Sequence, residues 1–454
     1  MKKYIGISII VCILLALPVN LGAQENPASV SRAVEYSISD SVDNIGNLYI
    51  KAWSELPSVL TFVNSDGSVT VCTSDEKEKI TYIYEFNANL EEQKELQFKN
   101  EFNQLGAFTR DDEGNYYFFY ASRAANQNTE NMAIAKYSRE GEKIKIYRLI
   151  AGAPNSFGSI KIPFDAGTCR LELSGSMLTV YFARERFDGH QASYGFVLDK
   201  DTFERIDKGY AYYYTNGTYP KGNNLLPFTG HSFNQFVLPV DGGFVYADHG
   251  DAYPRAFTFG KFVDGSNTIR LNAFAFPGAK GSNPTYAEMG GLAKTQAGYI
   301  FAGTYGKDRN NARNLFVLTF DEELKKCSAP IYLTKYTKND GHAGHPKIVA
   351  LDSGRYLLLW ELFKFSTQSA NSIVSQRTEY LSTWMLVIDE QGNAISEIQE
   401  LKGIRLNIND TLRYNPRNGK VYWAINDRIA IFDINGVVSV YSSTFTVYAL
   451  NVNK

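Results

Sequence analysis

The sequence predicts an all-β protein built from repeated four-stranded antiparallel units, and three observations support this fold class. After residue 30 the apolar residues show almost no helical period. Short runs of aromatic and β-branched residues instead recur between Gly, Asn and Asp turns, and 30 Tyr and 29 Phe residues contribute to them. The turns also recur in a fixed order, with a glycine turn after the first strand of each unit and an Asp, Asn or Gly turn after the third.

The predicted strands are short and end at turn residues. They include NYYFFYA at 115–121, SMLTVYFA at 176–183, NLFVLTF at 314–320, RYLLLWEL at 355–362 and KVYWAI at 420–425. Aromatic and β-branched side chains pack well on a pleated surface, so these runs favour strands over any other structure.

The two kinds of turn each recur seven times. The glycine turn is at Gly67, Gly114, Gly175, Gly243, Gly298, Gly354 and Gly419, and the second turn is at 86–92, 137–143, 198–204, 262–268, 320–326, 388–394 and 432–438. This repeat resembles a β-propeller, in which four-stranded blades surround a central channel. The resemblance implies one domain of seven blades. Eight blades or a two-domain β-sandwich are the alternatives.

One strand-like piece lies outside the seven units. DNIGNLYIKAW, residues 43–53, precedes the first glycine turn and has no partner strand of its own. We predict that it pairs with the C-terminal strands and closes the ring, because closure removes the exposed edge of an open sheet.

The first 23 residues are typical of an export signal. Two lysines at 2–3 precede a largely apolar run at 5–17, and small residues then lead to Ala23. No later run approaches the roughly 20 apolar residues of a membrane-spanning helix. We therefore expect residues 1–23 to be removed and residues 24–454 to form one exported domain, periplasmic or extracellular, without a transmembrane segment.

Composition and missing motifs exclude several function classes. Lys plus Arg is 46 and Asp plus Glu is 48, so no basic excess is available for nucleic acid. The sequence has no phosphate-binding glycine loop, GxSxG elbow, HExxH helix or CxxC pair, and it leaves any cofactor unknown. Three widely spaced cysteines, Cys72, Cys169 and Cys327, remain after signal removal and predict buried thiols instead of a disulfide framework.

Long loops place the expected site on one face of the ring. Loops between second and third strands are predicted at 121–131, 183–193, 247–255, 303–313 and 363–379, on the same face as the connections between blades. The other face carries only short hairpin turns. Function on a rigid scaffold usually lies on its long loops. All five histidines also fall on this face in the predicted arrangement.

Four stretches on this face supply the candidate binding residues. They are His231, Asn234 and Gln235 in GHSFNQF (230–236), Asp248, His249, Asp251, Tyr253 and Arg255 in ADHGDAYPR (247–255), Glu288 in YAEMGG (286–291), and His342 and His345 in GHAGHP (341–346). A carboxylate beside a histidine orients it as a general base, or ligates a cation through oxygen. An ordinary capped loop is the alternative for 247–255, and an exposed strand end is expected for Glu361. We predict no metal site, because the two histidines of 341–346 lack a third ligand.

Three functions are compatible with these residues. The first is a binding protein whose ligand, a small molecule, a carbohydrate or an anion, lies at the channel mouth. The second is a lyase, hydrolase or group-transfer enzyme, in which His231 or His249 acts as base or nucleophile. Asp248 or Asp251 would then orient the histidine, and Arg255 would stabilise charge. The third is a scaffold that binds a protein partner.

Overall fold

The structure is a computed structural model. The structure describes residues 28–36, 56–152, 159–165, 167–207, 229–263, 266–282, 284–352, 354–366, 379–432 and 438–452. In this part of the chain no helix has the length and apolar character needed to cross a membrane.

The described residues form seven four-stranded antiparallel sheets arranged as the blades of a ring, so the fold is a seven-bladed β-propeller. Blade 1 contains β2 (Val59–Val63), β3 (Val69–Asp75), β4 (Ile80–Phe86) and β5 (Glu92–Lys99), and blade 2 contains β6 (Gln104–Arg110), β7 (Tyr116–Ala121), β8 (Glu130–Tyr137) and β9 (Lys143–Ile150). Blade 3 contains β10 (Ile162–Pro163) and β11 (Cys169–Ser174), which both pair with the inner side of β12 (Met177–Glu185), and β13 (Gln191–Asp199), which pairs with its outer side. In this blade β11 is therefore the first strand, β12 the second and β13 the third. Blade 4 contains β14 (Ser232–Val240), β15 (Gly243–Asp251), β16 (Arg255–Val263) and β17 (Ser266–Ala275).

The remaining blades follow the same order from the axis outward. Blade 5 contains β18 (Ala287–Lys294), β19 (Gly298–Tyr305), β20 (Asn314–Asp321) and β21 (Ile331–Tyr332), and blade 6 contains β22 (His342–Ala350), β23 (Arg355–Phe363), β24 (Tyr380–Asp389) and β25 (Gln399–Leu401). Blade 7 contains β26 (Arg413–Asn415), β27 (Lys420–Phe432), β28 (Val438–Asn451) and, as its outermost strand, β1 (Ala28–Tyr36).

The predicted glycine turns all fall where the first and second strands of a blade meet. Six of the seven second turns likewise follow the third strand. The turn at 432–438 was placed wrongly, because it joins the second and third strands of blade 7, β27 and β28. The prediction failed there because the fourth strand of this blade comes from the other end of the chain.

The ring is closed by the N-terminal strand. β1 pairs antiparallel with β28 from Ala28 opposite Ala449 to Tyr36 opposite Tyr441, which completes blade 7. Closure by an N-terminal segment was predicted, but for the piece at 43–53, which lies outside the described residues. Blade 7 is also tied to blade 1, because Asp410 accepts a 2.9 Å hydrogen bond from the Thr61 N–H.

Apolar clusters fill all seven junctions between consecutive blades. The strand β7, YYFFYA, is fully buried along its length because both of its faces are covered. Tyr116, Phe118 and Tyr120 pack toward blade 1. Tyr117 and Phe119 pack toward blade 3. The aromatic-rich sequence is therefore explained by packing between blades, where such side chains bury large areas.

Candidate functional site

The candidate residues lie at the face of the ring where each innermost strand begins. In an antiparallel blade, this face also receives the end of the second strand and the start of the third. In blade 4, β14 begins at Ser232, β15 ends at Asp251 and β16 begins at Arg255. We call it the long-loop face, because the connections 186–190 and 306–313 also lie there.

Two of the candidate stretches are mostly strand. Within 247–255 only residues 252–254 connect β15 to β16. Gly250 lies in β15, and a Cβ there would come within 2.4 Å of the Thr229 side chain, so close packing explains the glycine. The stretch 341–346 is also mostly strand, because β22 begins at His342.

His231 and Asp251 form a histidine–carboxylate pair in which the histidine is partly exposed to solvent. The Nδ1 of His231 lies 3.2 Å from Asp251 Oδ1, and the His231 side chain is 29% exposed whereas that of Asp251 is fully buried. Neither oxygen of Asp251 has hydrogen-bond geometry with any described residue. The contact with His231, together with the nearby Arg255 charge, therefore offsets the burial of this carboxylate. The Asp251 carboxylate thus lies beside Nδ1 of the imidazole, and Nε2 is on the side of the ring away from it.

Three exposed side chains surround His231. The His190 ring is 6.2 Å from the His231 ring, and its side chain is 63% exposed. Tyr253 is 47% exposed, and Lys280 Nζ lies 5.1 Å from the centre of the Tyr253 ring. This arrangement combines an aromatic surface with several nitrogen donors. We call it the blade 4 site, formed by His190, His231, Asp251, Tyr253 and Lys280.

Backbone strain occurs within the blade 4 site. His231 has φ 51° and Tyr253 has φ 53°, in the left-handed region that residues other than glycine seldom adopt. Each such residue costs about 1–3 kcal/mol and persists only where its surroundings hold it, which is frequent at ligand sites. Here the Asp251 N–H donates to the His231 carbonyl at 3.3 Å, and the Gly230 N–H donates to the Tyr253 carbonyl at 3.4 Å.

Asp165 lies next to this site and was missed by the sequence analysis. Its Oδ2 accepts a 3.4 Å hydrogen bond from Gln191 Nε2, and its buried Oδ1 has no partner among the described residues. Burial, and secondly the Glu185 carboxylate, raise the pKa of Asp165 to about 7. The Gln191 carbonyl in turn accepts the His231 N–H at 3.0 Å. A single acid in the run IPFDAG gave no signal of this position.

His249 is a core histidine. Its ring is enclosed by Phe233, Phe257 and Phe276 at centroid distances of 6.1, 4.9 and 5.1 Å. Its Nε2 pairs with the Thr285 hydroxyl at 2.8 Å. Burial, aided by nearby arginines, lowers the pKa of His249 to about 3, so the ring stays neutral. The structure does not bring His249 to His231.

Gln235 and Asp248 belong to a buried network between blades 3 and 4. The Gln235 Oε1 accepts hydrogen bonds from the Thr168 N–H and hydroxyl at 2.8 and 3.0 Å. Asp248 accepts from the Tyr181 hydroxyl at 2.8 Å and from the Ser232 hydroxyl at 2.5 Å. Asn234 joins the same network, because its Oδ1 lies 3.1 Å from the Thr168 hydroxyl. These contacts hold the two blades together and keep these side chains away from ligand.

Arg255 holds the loop 277–284 in place. Its guanidinium donates to the carbonyls of Pro277 at 2.9 Å and Pro284 at 2.7 Å, and also to the Ser282 carbonyl. Burial lowers the pKa of Arg255. The group is thus occupied by backbone carbonyls, and its function here is to fix the loop that carries Lys280 beside Tyr253.

A second histidine–carboxylate pair lies within blade 6, between β22 and β23. His345 Nδ1 lies 2.5 Å from Glu361 Oε2, and both side chains are buried. Glu361 was expected at an exposed strand end, but the Arg405 guanidinium and the Leu406 N–H bind its other oxygen at 2.7 and 2.9 Å. Burial opposes ionisation, yet His345 and Arg405 hold the pKa of Glu361 below its usual value. The sequence contains no signal of these partners, because Arg405 lies in a connection that comes later in the chain, after β25.

Glu288 and His342 complete this second region. Glu288 accepts a 2.5 Å hydrogen bond from Arg313 and a 2.7 Å hydrogen bond from the His345 N–H. His342 packs against Phe363 with ring centroids 6.1 Å apart, and burial lowers the pKa of His342 to about 3. The candidate residues therefore fall into two regions, the blade 4 site and this buried cluster.

Five charged side chains that the sequence analysis missed lie around the ring axis. They are Arg170, Glu172, Lys347, Asp410 and Arg413, and we call them the axial cluster. Arg413 of blade 7 lies 3.4 Å from Glu172 of blade 3, a contact that crosses the axis because these blades are not neighbours. Lys347 donates to the carbonyls of Ile408 and Asp410 at 2.7 and 2.6 Å. The signal was the alternation of charged and apolar residues in CRLELS (169–174), an innermost strand.

In the part of the chain that the structure describes, neither a metal site nor a reactive thiol is found in either region. Among the described residues, no group of three or more His, Cys, Asp or Glu side chains is arranged to hold a metal ion. Cys72 and Cys169 are buried, and Cys327 is partly buried. Burial raises the pKa of the Cys327 thiol to about 11 and raises the pKa values of the Cys72 and Cys169 thiols well above their usual range, so all three are unreactive thiols.

No protein-family model matches the sequence, and no curated protein sequence matches it either. Solved structures with a similar fold include the β-propeller domain of the Trilobed protease from Pyrococcus furiosus, with 9% identity and a TM-score of 0.37 over 76% of this chain and 80% of that one. A member of the DUF4221 family from Bacteroides vulgatus has 11% identity and a TM-score of 0.38 over 94% and 100% of the two chains. The GH93 α-L-arabinofuranosidase of Fusarium graminearum, solved with arabinobiose, has 10% identity and a TM-score of 0.41 over 92% and 97%. Similarity at this level assigns no activity to the chain.

Proposed function

We propose that this protein binds an acidic carbohydrate at the blade 4 site on the long-loop face. The observation that carries the proposal is the fully buried Asp251 carboxylate 3.2 Å from the partly exposed His231 imidazole. With the buried carboxylate beside Nδ1, Nε2 is the ring nitrogen that faces away from Asp251 and can meet the ligand.

The neighbouring side chains favour this ligand class. The half-exposed Tyr253 ring offers an apolar surface with a polar edge, which suits the face of a sugar. His190, His231 and Lys280 offer nitrogen donors, which favour an acidic substituent through charge-assisted hydrogen bonds. Arg255 holds the loop 277–284, so Lys280 and Tyr253 are presented by an ordered backbone.

We also propose that the protein is exported, with residues 1–23 as a cleaved signal. The support is the positive and then apolar character of this segment in the sequence. Cell fractionation followed by N-terminal sequencing tests this. We expect mature protein outside the cytoplasm that lacks the first 23 or so residues, and full-length protein confined to the cytoplasm would contradict it.

The binding test compares two matched tyrosine variants by isothermal titration calorimetry with acidic and neutral oligosaccharides. Tyr253 is 47% exposed and Tyr332, on the outer strand of blade 5, is 44% exposed. We expect Tyr253→Ala to weaken binding of an acidic oligosaccharide by about tenfold, roughly 1.4 kcal/mol, through loss of the stacking surface. Tyr332→Ala should bind like the wild type. Equal loss in both variants, or binding of neutral sugars alone, would overturn the proposal.

The second candidate function is a lyase, hydrolase or group-transfer enzyme at the same site. The observation in its favour is that Asp251 contacts His231 Nδ1, the arrangement in which a carboxylate orients a general base. Incubation of the bound oligosaccharide with the protein, followed by chromatography, separates the two functions. Unchanged ligand after long incubation supports binding alone. Cleavage that is lost in His231→Gln would support the enzyme.

A further inference from the structure

A pair of carboxyl groups lies beside the blade 4 site. Asp165 follows β10 and is fully buried, and Glu185 ends β12 with a side chain that is 16% exposed. A side-chain hydrogen bond joins the two carboxyl groups. An ionised carboxyl group only accepts hydrogen bonds, so this one forms only when one of the two acids carries a proton. The contact therefore holds one proton between two acids.

The positive charges around this pair do not replace the proton. Lys161 Nζ lies 3.0 Å from Glu185 Oε1 and offsets the charge of the more exposed acid. Arg123 attracts the Asp165 carboxylate, but burial and the Glu185 charge have larger effects on the pKa of Asp165. Burial and Glu185 raise this pKa to about 7, so the proton leaves near neutral pH.

Gln191 connects the carboxyl pair to His231. Gln191 lies directly opposite Glu185 in the pairing of β12 with β13. Its Nε2 donates to Asp165 Oδ2 at 3.4 Å, and its carbonyl accepts the His231 N–H at 3.0 Å. His190, the other exposed imidazole of the blade 4 site, precedes Gln191 in the chain. A single residue thus separates the carboxyl pair from both imidazoles of the site.

We propose that Asp165 and Glu185 hold one proton between them, and that loss of this proton weakens the binding of an acidic ligand at the blade 4 site. This inference rests on the proposed function and adds the regulation of that site by pH. With the proton, the pair carries one negative charge, which Lys161 offsets. Without it the pair carries two, and the added charge lies near a site whose ligand is also negative. Acidic ligands thus bind most tightly below neutral pH and are released as the pH rises.

Infrared spectroscopy tests the shared proton without any ligand. A protonated carboxyl group absorbs at a different frequency from a carboxylate, so the difference between spectra at about pH 6.0 and about pH 8.5 shows the acids that titrate in this range. We expect the wild type to lose a carboxylic acid band that Asp165→Asn lacks at both pH values. A wild-type spectrum without such a band, or the same difference spectrum in Asp165→Asn, would overturn the proposal.

Isothermal titration calorimetry with oligogalacturonate, at the same two pH values, tests the effect on binding. We expect the affinity of the wild type to fall about threefold to tenfold more than that of Asp165→Asn, as for one added charge about 10 Å away at an intermediate dielectric. His190 and His231 are present in both proteins, so any pH dependence of the imidazoles cancels in this comparison.

Asp201→Asn is the matched control for loss of an acid. Asp201 also lies in blade 3, and its hydrogen bond with Lys136 holds the pKa of its carboxyl group below the usual value. This acid is ionised at both pH values, so its removal does not change the pH dependence of binding. Asp201→Asn should therefore follow the wild type.

The possible outcomes separate this inference from the proposed function. Binding with an equal pH dependence in the wild type and Asp165→Asn would overturn the regulation by pH and leave the proposed function in place. Absence of binding at both pH values in every variant would overturn both. The infrared spectra would then still show whether the carboxyl pair holds a proton.

Discussion

Replacing His249 by phenylalanine should make the protein less sensitive to acid. His249 is buried among three phenylalanine rings, and burial lowers its pKa to about 3. The unfolded chain, in contrast, takes up a proton on this imidazole near pH 6.5. The unfolded state therefore binds more protons than the folded state below pH 6.5, and the free energy of unfolding falls as the pH falls.

The magnitude follows from the size of the pKa difference. One histidine with this shift lowers the free energy of unfolding by about 1.4 kcal/mol per pH unit between roughly pH 6.5 and pH 3. Between pH 7.5 and pH 5.0 the loss from His249 is thus about 2 kcal/mol. Asp165 has the opposite effect on the free energy of unfolding as the pH falls. Because its pKa is raised to about 7, the folded state takes up this proton at a higher pH than the unfolded state does. Comparison of variant with wild type isolates the histidine from this background.

Equilibrium urea unfolding at pH 7.5 and pH 5.0 measures the effect. We expect His249→Phe to lose about 2 kcal/mol less than the wild type between these two pH values. Phe257→Leu is the control for packing at the same place, and it should shift stability by the same amount at both pH values. If wild type and His249→Phe lose equal stability on acidification, the conclusion that His249 is a buried, neutral imidazole in the folded state is wrong.

Three further changes test the fold and its buried contacts. Asp248→Ala removes the acceptor of the Tyr181 hydroxyl and should cost about 1–3 kcal/mol, measured by urea unfolding, and a change below about 0.5 kcal/mol would contradict the network. Removal of β1 leaves β28 as an open edge, so calorimetry should show a lower melting temperature and size-exclusion chromatography should show association; an unchanged melting temperature would refute closure by this strand. Glu361→Gln breaks the buried pair with His345 and should cost about 3–5 kcal/mol by urea unfolding, whereas a neutral result would place that pair in solvent.

The fold followed from the sequence because turn chemistry is local. A glycine with positive φ, such as Gly67 at 90° or Gly114 at 88°, marks a tight turn whatever its neighbours are. The strand that closes the ring was harder to predict. Its partner lies at the opposite end of the chain, and pairing between Ala28 and Ala449 leaves no local signal.

The candidate site was predicted only in part, because its contacts are between blades. The sequence placed His231, Asp251 and Tyr253 on one face, and the structure brings these three together. The sequence could not show that His249 is surrounded by phenylalanines, because the burial of a side chain depends on tertiary packing. The same limit applies to Arg255, whose partners are carbonyl groups about 20–30 residues later in the chain.

Hydrogen–deuterium exchange with a bound acidic oligosaccharide tests ligand binding at the blade 4 site most directly. Ligand contact and loop ordering slow amide exchange locally, and the ring provides many peptides far from the site for comparison. We predict slower exchange in peptides covering 186–193, 229–233, 251–256 and 278–282, with peptides of blades 1 and 7 unchanged. Protection elsewhere in the ring with none in these four segments would contradict ligand binding at this site.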